Sequence, residues 1–266
     1  MDLQMGGDGD SGGVRRRPTT RRRLYRQALV QDLVDALWPD RCWVCHRAAD
    51  SASGPATCAD HALVETSTSD RCRRCAGPLA EGISRGSVCS VCRRAPPPFG
   101  RAVCAFHYGE PAVRAWILAL KHGGRTDLAT ALVAAAWRAI REREPGLGST
   151  RALLVPVPLH LSRRIERGHD QAARLAREFA ALGAGRFCPI LRRVRATWSQ
   201  GDPVGPGRRK NVRGAFRGVP AVRIPGDCTV WIVDDVMTTG ATAAACAQTL
   251  KAMGATEVNL LTLARA

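Results

Sequence analysis

The stretch from Val230 to Thr242 limits the possible folds of this chain more than any other segment does. It reads Val-Trp-Ile-Val-Asp-Asp-Val-Met-Thr-Thr-Gly-Ala-Thr. Its first four residues form a short apolar run, which predicts a buried parallel strand that ends where the two acids begin. Good helix formers from Ala241 to Met253 predict a helix after the loop. This order of strand, acidic pair, Thr/Gly loop and helix indicates one unit of a parallel α/β fold.

The loop between this strand and this helix has the chemistry of a phosphate site. Free backbone amides and the positive helix end favour an anion there, and Gly240 lets the backbone approach closely. Hydroxyl donors are supplied by Thr238, Thr239 and Thr242. The carboxylates of Asp234 and Asp235 would accept hydrogen bonds from vicinal sugar hydroxyls beside the phosphate. The segment therefore predicts a ribose-5-phosphate site, and the simpler alternative is a strand-to-helix turn with an acidic rim and a Thr N-cap.

Four pairs of candidate metal ligands, each with two residues between its members, lie between residues 42 and 92. They are Cys42/Cys45, Cys58/His61, Cys72/Cys75 and Cys89/Cys92. Each pair supplies one edge of a tetrahedron, so the four pairs complete two closed sites that suit structural Zn²⁺. The simplest arrangement joins the first two pairs in one site and the last two in the other, and interleaved pairing is the alternative. Disulfides would need an oxidising compartment, which nothing in the sequence indicates.

The composition divides the chain into a tail and two domains. Residues 1–23 hold almost no apolar side chains and predict a disordered basic tail. Residues 24–98 would form a short amphipathic helix and a double zinc-ribbon module that needs metal to fold. The Pro-rich residues 95–99 mark the boundary to a second domain, 99–266. Because neither a signal peptide nor a membrane-spanning segment is evident, we expect a cytoplasmic protein.

Strands and helices alternate in the second domain. Apolar runs predict strands at 101–108, 151–157, 187–194, 229–233 and 257–263. Periodic apolar positions predict helices at 111–121, 127–144, 171–182 and 241–253. Such alternation predicts a parallel sheet with ligands at the carboxyl ends of its strands.

The net charge of +17, from 40 Lys and Arg against 23 Asp and Glu, favours anionic partners, although a coding bias toward arginine would also produce it. The loop before helix 171–182 is basic and contains glycine, which again suits phosphate oxygens. Its relevant residues are Arg163, Arg164, Arg167 and Gly168. Residues 195–217 form a polar segment whose length is typical of a lid or a binding loop. A solvated charge run is the alternative for this segment.

Several segments together resemble the ComF family, the phosphoribosyltransferase-like proteins of bacterial competence. The segments are the paired Cys knuckles followed by Gly77-Pro78-Leu79, residues 118–124, 154–160, 166–171 and 209–216, and the loop at 233–242. This last loop resembles the loop of type I phosphoribosyltransferases that binds 5-phosphoribosyl 1-pyrophosphate (PRPP). The resemblance covers nearly everything after the tail. It implies an α/β fold with a type I phosphoribosyltransferase-like parallel sheet and flanking helices, preceded by a small zinc-ribbon module.

The resemblance also assigns roles to residues. It maps Asp234 and Asp235 to the ribose hydroxyls. It maps the 5′-phosphate to Thr238, Thr239, Gly240, Ala241 and Thr242. The pyrophosphate side would be formed by Arg163, Arg164, Arg167 and Gly168, and the flexible lid by a segment with Gln200, Arg209 and Asn211. Mg²⁺ would lie between pyrophosphate and ribose, held mainly by the ligand and water.

The function implied by the resemblance is PRPP/Mg²⁺ binding with a role in DNA uptake or nucleotide metabolism. Single-stranded DNA and the DNA-uptake helicase are the implied partners. Enzymatic transfer stays open, because Thr238 places a hydroxyl where purine-salvage enzymes carry an acid, so the loop offers no general base. The alternative is a non-catalytic module that binds single-stranded DNA and retains the PRPP pocket. The chain departs from the family pattern at His169, where an aromatic is usual, and at Asp170, where Asn is usual.

Overall fold

A parallel β-sheet forms the centre of the fold. The computed structural model describes residues 41–42, 45–49, 57–63, 71–80, 86–122, 128–142, 144, 146–160, 168–195, 212 and 214–266. The strands of this part of the chain are β1 (Ala102–His107), β2 (Ala152–Pro156), β3 (Arg186–Phe187), β4 (Leu191–Arg193), β5 (Phe216–Gly218), β6 (Thr229–Met237) and β7 (Glu257–Arg265). Five of them form one sheet in the order β1-β7-β6-β2-β3, with every pairing parallel. The acid pair therefore lies on the central strand, β6.

Helices cover both faces of this sheet. In the described residues they are α1 (Ser90–Arg94), α2 (Pro111–His122), α3 (Leu128–Ile140), α4 (Gln171–Ala181) and α5 (Ala241–Ala252). Side chains alternate between the faces of β6, so Trp231 and Val233 pack with α2, α3 and α4, whereas Val230 and Ile232 pack with α5. Both faces are buried, which explains why β6 begins with an uninterrupted apolar run. The fold class predicted from the sequence is confirmed.

The central strand continues past the position where the sequence predicted its end. Pairing with β2 stops at Pro156–Val233, but pairing with β7 extends to Met237–Arg265. The acids therefore belong to the strand and do not follow it. β2 has already left the ladder at this point, so among the described residues β7 alone pairs with the part of β6 that carries the acids.

The predicted strand at 187–194 is wrong as a single element. Residues 186–187 extend the main sheet beside β2, and residues 191–193 pair antiparallel with β5 in a separate two-stranded sheet. Pro189, which has no amide hydrogen to donate, lies between the two pieces. β5 overlaps the end of residues 195–217, which the sequence predicted to be a polar loop. The helix predicted at 127–144 is described from Leu128 and ends earlier, at Ile140.

The Cys-rich part packs against the sheet. Ala76 and Phe99 are buried in the same apolar cluster as Leu260 of β7. A short 3₁₀ helix at Ala59–His61 lies beside α2. The predicted tail (1–23) and amphipathic helix (24–37) lie outside the described residues, and the predicted boundary near residues 95–99 stays a prediction. Within the described part of the chain, no helix combines the length and the apolar character that a membrane span requires.

Candidate functional site

The acid pair straddles the carboxyl end of the central strand. Strand alternation turns Asp235 toward the face covered by α2, and Asp234 toward the first turn of α5. Each carboxylate accepts a hydrogen bond from the next backbone amide, over 2.9 Å from Asp235 N to Asp234 Oδ1 and 2.6 Å from Val236 N to Asp235 Oδ1. These local bonds hold both side chains in place at the mouth of the site.

Charge in this site is balanced by a lysine that the sequence did not single out. Lys121, near the end of α2, places its Nζ 3.0 Å from Asp235 Oδ2, and both side chains are largely buried. Burial first and the charge of Asp235 second raise the pKa of Asp234 to about 7, while Lys121 acts in the opposite direction. The site therefore sits close to a protonation change at neutral pH.

His169 and Gln171, which follow the predicted pyrophosphate loop, hold the end of α2 in position. His169 Nε2 lies 3.0 Å from the carbonyl oxygen of Leu120, and Gln171 Nε2 donates to the carbonyl of Lys121 over 3.3 Å. Asp170 caps α4 by accepting a hydrogen bond from Ala173 N at 3.0 Å. The two departures from the family pattern, His169 and Asp170, thus have structural roles beside the site.

The phosphate loop, defined here as residues 238–242, joins β6 to α5. Gly240 is the N-cap of α5, with φ of 75° and no side chain to cap the helix, so the amides of the first turn beyond Ala241 are left for an anion. Thr239 is exposed, and its Oγ1 accepts from Ala241 N over 3.4 Å. The small cavity between Asp234 and this loop measures about 10 Å³, the size of a single water. A sugar phosphate would therefore bind on the open side of the loop.

Only part of the predicted ligand site falls in the described residues. Arg163, Arg164 and Arg167 of the pyrophosphate side lie outside them, and so do Gln200, Arg209 and Asn211 of the lid. Gly168 is described and has φ of 72°, a backbone conformation that favours glycine. The roles of these residues stay predictions.

The Cys-rich part forms two clusters of potential metal ligands. The first cluster is Cys42, Cys45, Cys58 and His61, and the second cluster is Cys72, Cys75, Cys89 and Cys92. Within each cluster all ligand atoms lie within 4.8 Å of one another. Sequential pairing is therefore the observed arrangement. All these cysteines are free thiols in the structure, so the disulfide alternative is not the one adopted.

The second cluster has the hydrogen bonds expected of thiolate ligands. Backbone amides donate to its sulfurs, over 3.3 Å from Cys89 N to Cys72 Sγ and 3.5 Å from Cys92 N to Cys89 Sγ. Burial raises the pKa of the Cys72 thiol, but amide hydrogen bonds outweigh this effect and bring the pKa to about 7. Burial raises the pKa of the Cys75 and Cys92 thiols in the same cluster, so these two ligands would lose their protons when a soft divalent metal binds. Both clusters are compatible with zinc.

The remaining cysteines were predicted to be small buried side chains. Cys104 and Cys246 are buried, whereas Cys188 and Cys228 are partly exposed. Burial raises the pKa of the Cys104, Cys188 and Cys246 thiols, which disfavours their reactive thiolate forms. Nothing in the described residues marks any of the four as a nucleophile.

Comparison with known proteins identifies relatives along most of the chain. The chain is 31% identical over 231 residues to DNA utilization protein YhgH of Salmonella typhimurium, which covers 85% of this chain and 97% of that protein. It is 30% identical over 237 residues to the YhgH protein of Escherichia coli K12, with coverage of 85% and 97%. It is 29% identical over 181 residues to competence protein F of Haemophilus influenzae, with coverage of 67% and 78%.

Two further comparisons add little. No family model matches the chain. A purine phosphoribosyltransferase from Pyrococcus horikoshii aligns with a TM-score of 0.27 at 18% identity, over 53% of this chain and 82% of that one. The fold described above accordingly rests on the strand order of the chain itself.

Proposed function

The chain belongs to the ComF family, and from that premise we propose that it binds PRPP with Mg²⁺ at the carboxyl end of β6. The observation that carries the proposal is the placement of Asp234, Asp235 and the phosphate loop at one end of a buried central strand. This end combines amides and hydroxyls for a phosphate with carboxylates for sugar hydroxyls. PRPP presents both groups on one five-membered ring.

Each part of the site would take one part of the ligand. The amides and hydroxyls of the phosphate loop would hold the 5′-phosphate, and the two carboxylates would accept hydrogen bonds from the ribose 2- and 3-hydroxyls. Lys121 adds a cation beside Asp235, on the face of the sheet that α2 covers. Arg163, Arg164 and Arg167 would meet the pyrophosphate, and the segment with Gln200, Arg209 and Asn211 would close over it.

The residues present also fit Mg²⁺. Two adjacent carboxylates supply hard oxygen donors of the kind that Mg²⁺ prefers. Burial and the neighbouring Asp235 raise the pKa of Asp234, so a further cation beside the pair would favour its ionised form. Bound together with PRPP, the ion would neutralise pyrophosphate oxygens. Asp234 and Asp235 would hold it through water or through the sugar hydroxyls.

We further propose that both Cys clusters bind Zn²⁺ as structural metal. The support is a closed set of four ligand atoms in each cluster, together with amide hydrogen bonds to the sulfurs of the second. Few apolar residues are buried in these segments, so metal would supply much of their folding free energy.

A role in handling DNA is the biological part of the proposal. The relatives are named for DNA utilization and for competence, and this chain carries a net charge of +17. The described residues 71–80 and 86–100 contain no acid, and three of their arginines are exposed: Arg73, Arg93 and Arg94. Exposed arginines suit the phosphates of single-stranded DNA inside the cell. A DNA-uptake helicase would be the partner that delivers this strand.

The second candidate is a DNA-binding module that keeps the PRPP site without transfer. Two observations favour it. Thr238 supplies a hydroxyl where purine-salvage enzymes carry an acid, and none of the described residues of the loop is placed as a general base. Measuring pyrophosphate release from PRPP, with and without single-stranded DNA, separates the two. Release that disappears in Asp234→Asn/Asp235→Asn supports a transferase, and PRPP binding without any release supports the module. If PRPP neither binds nor reacts, both versions of the site are wrong.

A further inference from the structure

We propose that Arg265 connects the second cluster to the phosphate loop, so that metal in this cluster raises the affinity of the loop for its phosphate ligand. The identity of that ligand rests on the function proposed above, but the connection itself does not. In this account Arg265 is a positioning residue, because it acts through the backbone before the loop.

The guanidinium of Arg265 joins the second cluster to the residue before the phosphate loop. Arg265, the last residue of β7, donates from Nε to the carbonyl oxygen of Cys75 over 3.1 Å and from Nη1 to that of Met237 over 3.2 Å. Cys75 is a ligand of the second cluster, and Met237 directly precedes the phosphate loop. Because a guanidinium is planar and rigid, it fixes the separation of these two carbonyls. A shift of one carbonyl must either move the other or break a charge-assisted hydrogen bond.

The loop rests on the residue that Arg265 holds. Met237 is buried, and a Cβ added at Gly240 would lie 2.8 Å from Met237 Cε and 3.7 Å from the ring of Phe99. Since Gly240 also has φ of 75°, the turn before α5 has little freedom to adjust. Because the loop begins directly after Met237, the position of its amides depends on where the Met237 backbone lies. The carbonyl of Met237 is held there by Arg265 Nη1 over 3.2 Å and by the amide of Ala266 over 3.0 Å.

At the other end, Arg265 contacts the turn that a metal would fix. This turn is closed by hydrogen bonds from Ala76 N to Cys72 O at 2.7 Å and from Cys72 N to Gly77 O at 2.8 Å. A Cβ at Gly77 would lie only 3.7 Å from Arg265 Nη2, so the guanidinium lies directly against the turn. Metal-free Cys knuckles of this kind lose their structure, because ligand bonds replace a core. Loss of metal would thus release the Cys75 carbonyl.

The first cluster provides an internal comparison. It has the same ligand spacing, but Leu63, two residues beyond His61, packs on the face of the sheet that carries α2, α3 and α4. The backbone hydrogen bonds around its ligands run from Cys42 N to Arg47 O, from His46 N to Cys42 O and from His61 N to Cys58 O, all inside its own segments. The second cluster has another tie to the sheet, from Arg71 Nη1 to Cys104 Sγ at 3.1 Å, which reaches the middle of β1 and not the loop. The geometry thus assigns the coupling to Arg265 specifically.

The test uses the full-length, zinc-loaded protein and two readouts. Cys89→Ser/Cys92→Ser removes the second site, and Cys42→Ser/Cys45→Ser removes the first; zinc content verifies each loss. Hydrogen exchange of residues 237–243 reports on the loop without any ligand. Calorimetry with PRPP and Mg²⁺ reports on binding. Arg265→Met removes the connection, and Arg71→Met is the matched control that loosens the same cluster elsewhere.

The expected pattern is selective. Loss of the second site should speed exchange in 237–243 and weaken PRPP binding by about tenfold or more, which equals a coupling of about 1.4 kcal/mol. Loss of the first site and Arg71→Met should change binding by less than about threefold, within the range of ordinary surface effects. In Arg265→Met, binding should already be weak and should no longer respond to loss of the second site.

Two results would overturn the inference. One is unchanged exchange in 237–243 after loss of the second site, and the other is an equal effect of losing either cluster. Failure of the wild-type protein to bind PRPP would instead count against the proposed function, because the exchange measurement tests the connection without ligand.

Discussion

Lys121 Nζ lies 3.0 Å from Asp235 Oδ2, in an ion pair that joins α2 to the central strand. Neither residue has an opposite charge near it in sequence, so only the fold brings them together. The pair is the only ion pair of Asp235 among the described residues, and it leaves Asp234 without a direct cationic partner there. Lys121 and, from farther away, Arg193 act against the raised pKa of Asp234, so the electrostatics of the proposed PRPP site depend on cations from distant parts of the chain.

Replacing Lys121 by Met should weaken both the fold and ligand binding. The change leaves a largely buried carboxylate unpaired, which should cost about 1–3 kcal/mol of the free energy of unfolding. It also removes a cation beside the anionic ligand, so PRPP binding should weaken by about tenfold. Urea unfolding and calorimetry measure the two effects. Lys251→Met, on an exposed position of α5, is the matched control and should change neither quantity appreciably.

Stability should depend on pH through Asp234. Its pKa is raised from 3.8 to about 7 in the folded protein, so between these values the folded state holds a proton that the unfolded state has lost. The contribution of Asp234 to stability is therefore fully present below pH 3.8 and falls as pH rises toward 7, by about 1.4 kcal/mol per pH unit inside this window. Unfolding free energies at pH 5, 6 and 7 should fall less steeply in Asp234→Asn than in the wild type. Identical slopes would show that Asp234 is not the group that titrates.

Gly240→Ala should remove PRPP binding at moderate cost to stability. The residue has φ of 75°, which side chains other than glycine rarely adopt, so an alanine would strain the turn and displace the loop amides; the end of the Met237 side chain, 2.8 Å from the added Cβ, would also have to shift. The backbone strain alone costs about 1–2 kcal/mol. Gly183→Ala is the matched control, since it has φ of 81° but nothing within 4 Å of the added Cβ. Both variants should lose similar stability, but only Gly240→Ala should lose binding; equal binding in both would show that the loop is not the phosphate site.

Elemental analysis of the purified protein should find about two Zn²⁺ per chain, one for each cluster. Cys72→Ser should remove one of them and lower resistance to proteolysis in the Cys-rich part, because metal binding supplies folding free energy there. Cys188→Ser, at a partly exposed cysteine outside both clusters, should keep the full content. Protein that folds and resists proteolysis without any zinc would contradict the assignment of both clusters.

Much of this architecture could be predicted because it depends on local patterns. The apolar run from Val230 to Val233 is buried on both faces in the structure, and the spacing of the Cys pairs matches the two clusters. The helix predicted from Ala241 to Met253 is α5, which buries Cys246 and Leu250 against the sheet. In each case neighbouring residues in the sequence determine the local structure, so the pattern can be read without knowing the rest of the fold.

Other features could not be predicted because they depend on partners distant in the chain. The extension of β6 to Met237 requires β7 as a neighbour, and the split at Pro189 requires a second strand at residues 216–218. The sequence predicts Lys121 only as the end of a helix, since nothing near it in the chain indicates that it pairs with an acid. Its position within the segment 118–124, which resembles the family, was the one signal that could have marked it. The two hydrogen bonds of Arg265 could not be predicted from the sequence either, because both of their acceptors are backbone carbonyls.

The most direct test of the central claim is calorimetric titration of the zinc-loaded protein with PRPP in the presence of Mg²⁺, compared with Asp234→Asn/Asp235→Asn. The account predicts saturable, Mg²⁺-dependent binding by the wild type and a loss of at least about tenfold in affinity in the double variant, whose fold should be retained because both amides keep the shape of the acids. Absence of binding by the folded wild type, or unchanged affinity in the double variant, would contradict the claim that the acid pair and the phosphate loop form a PRPP site.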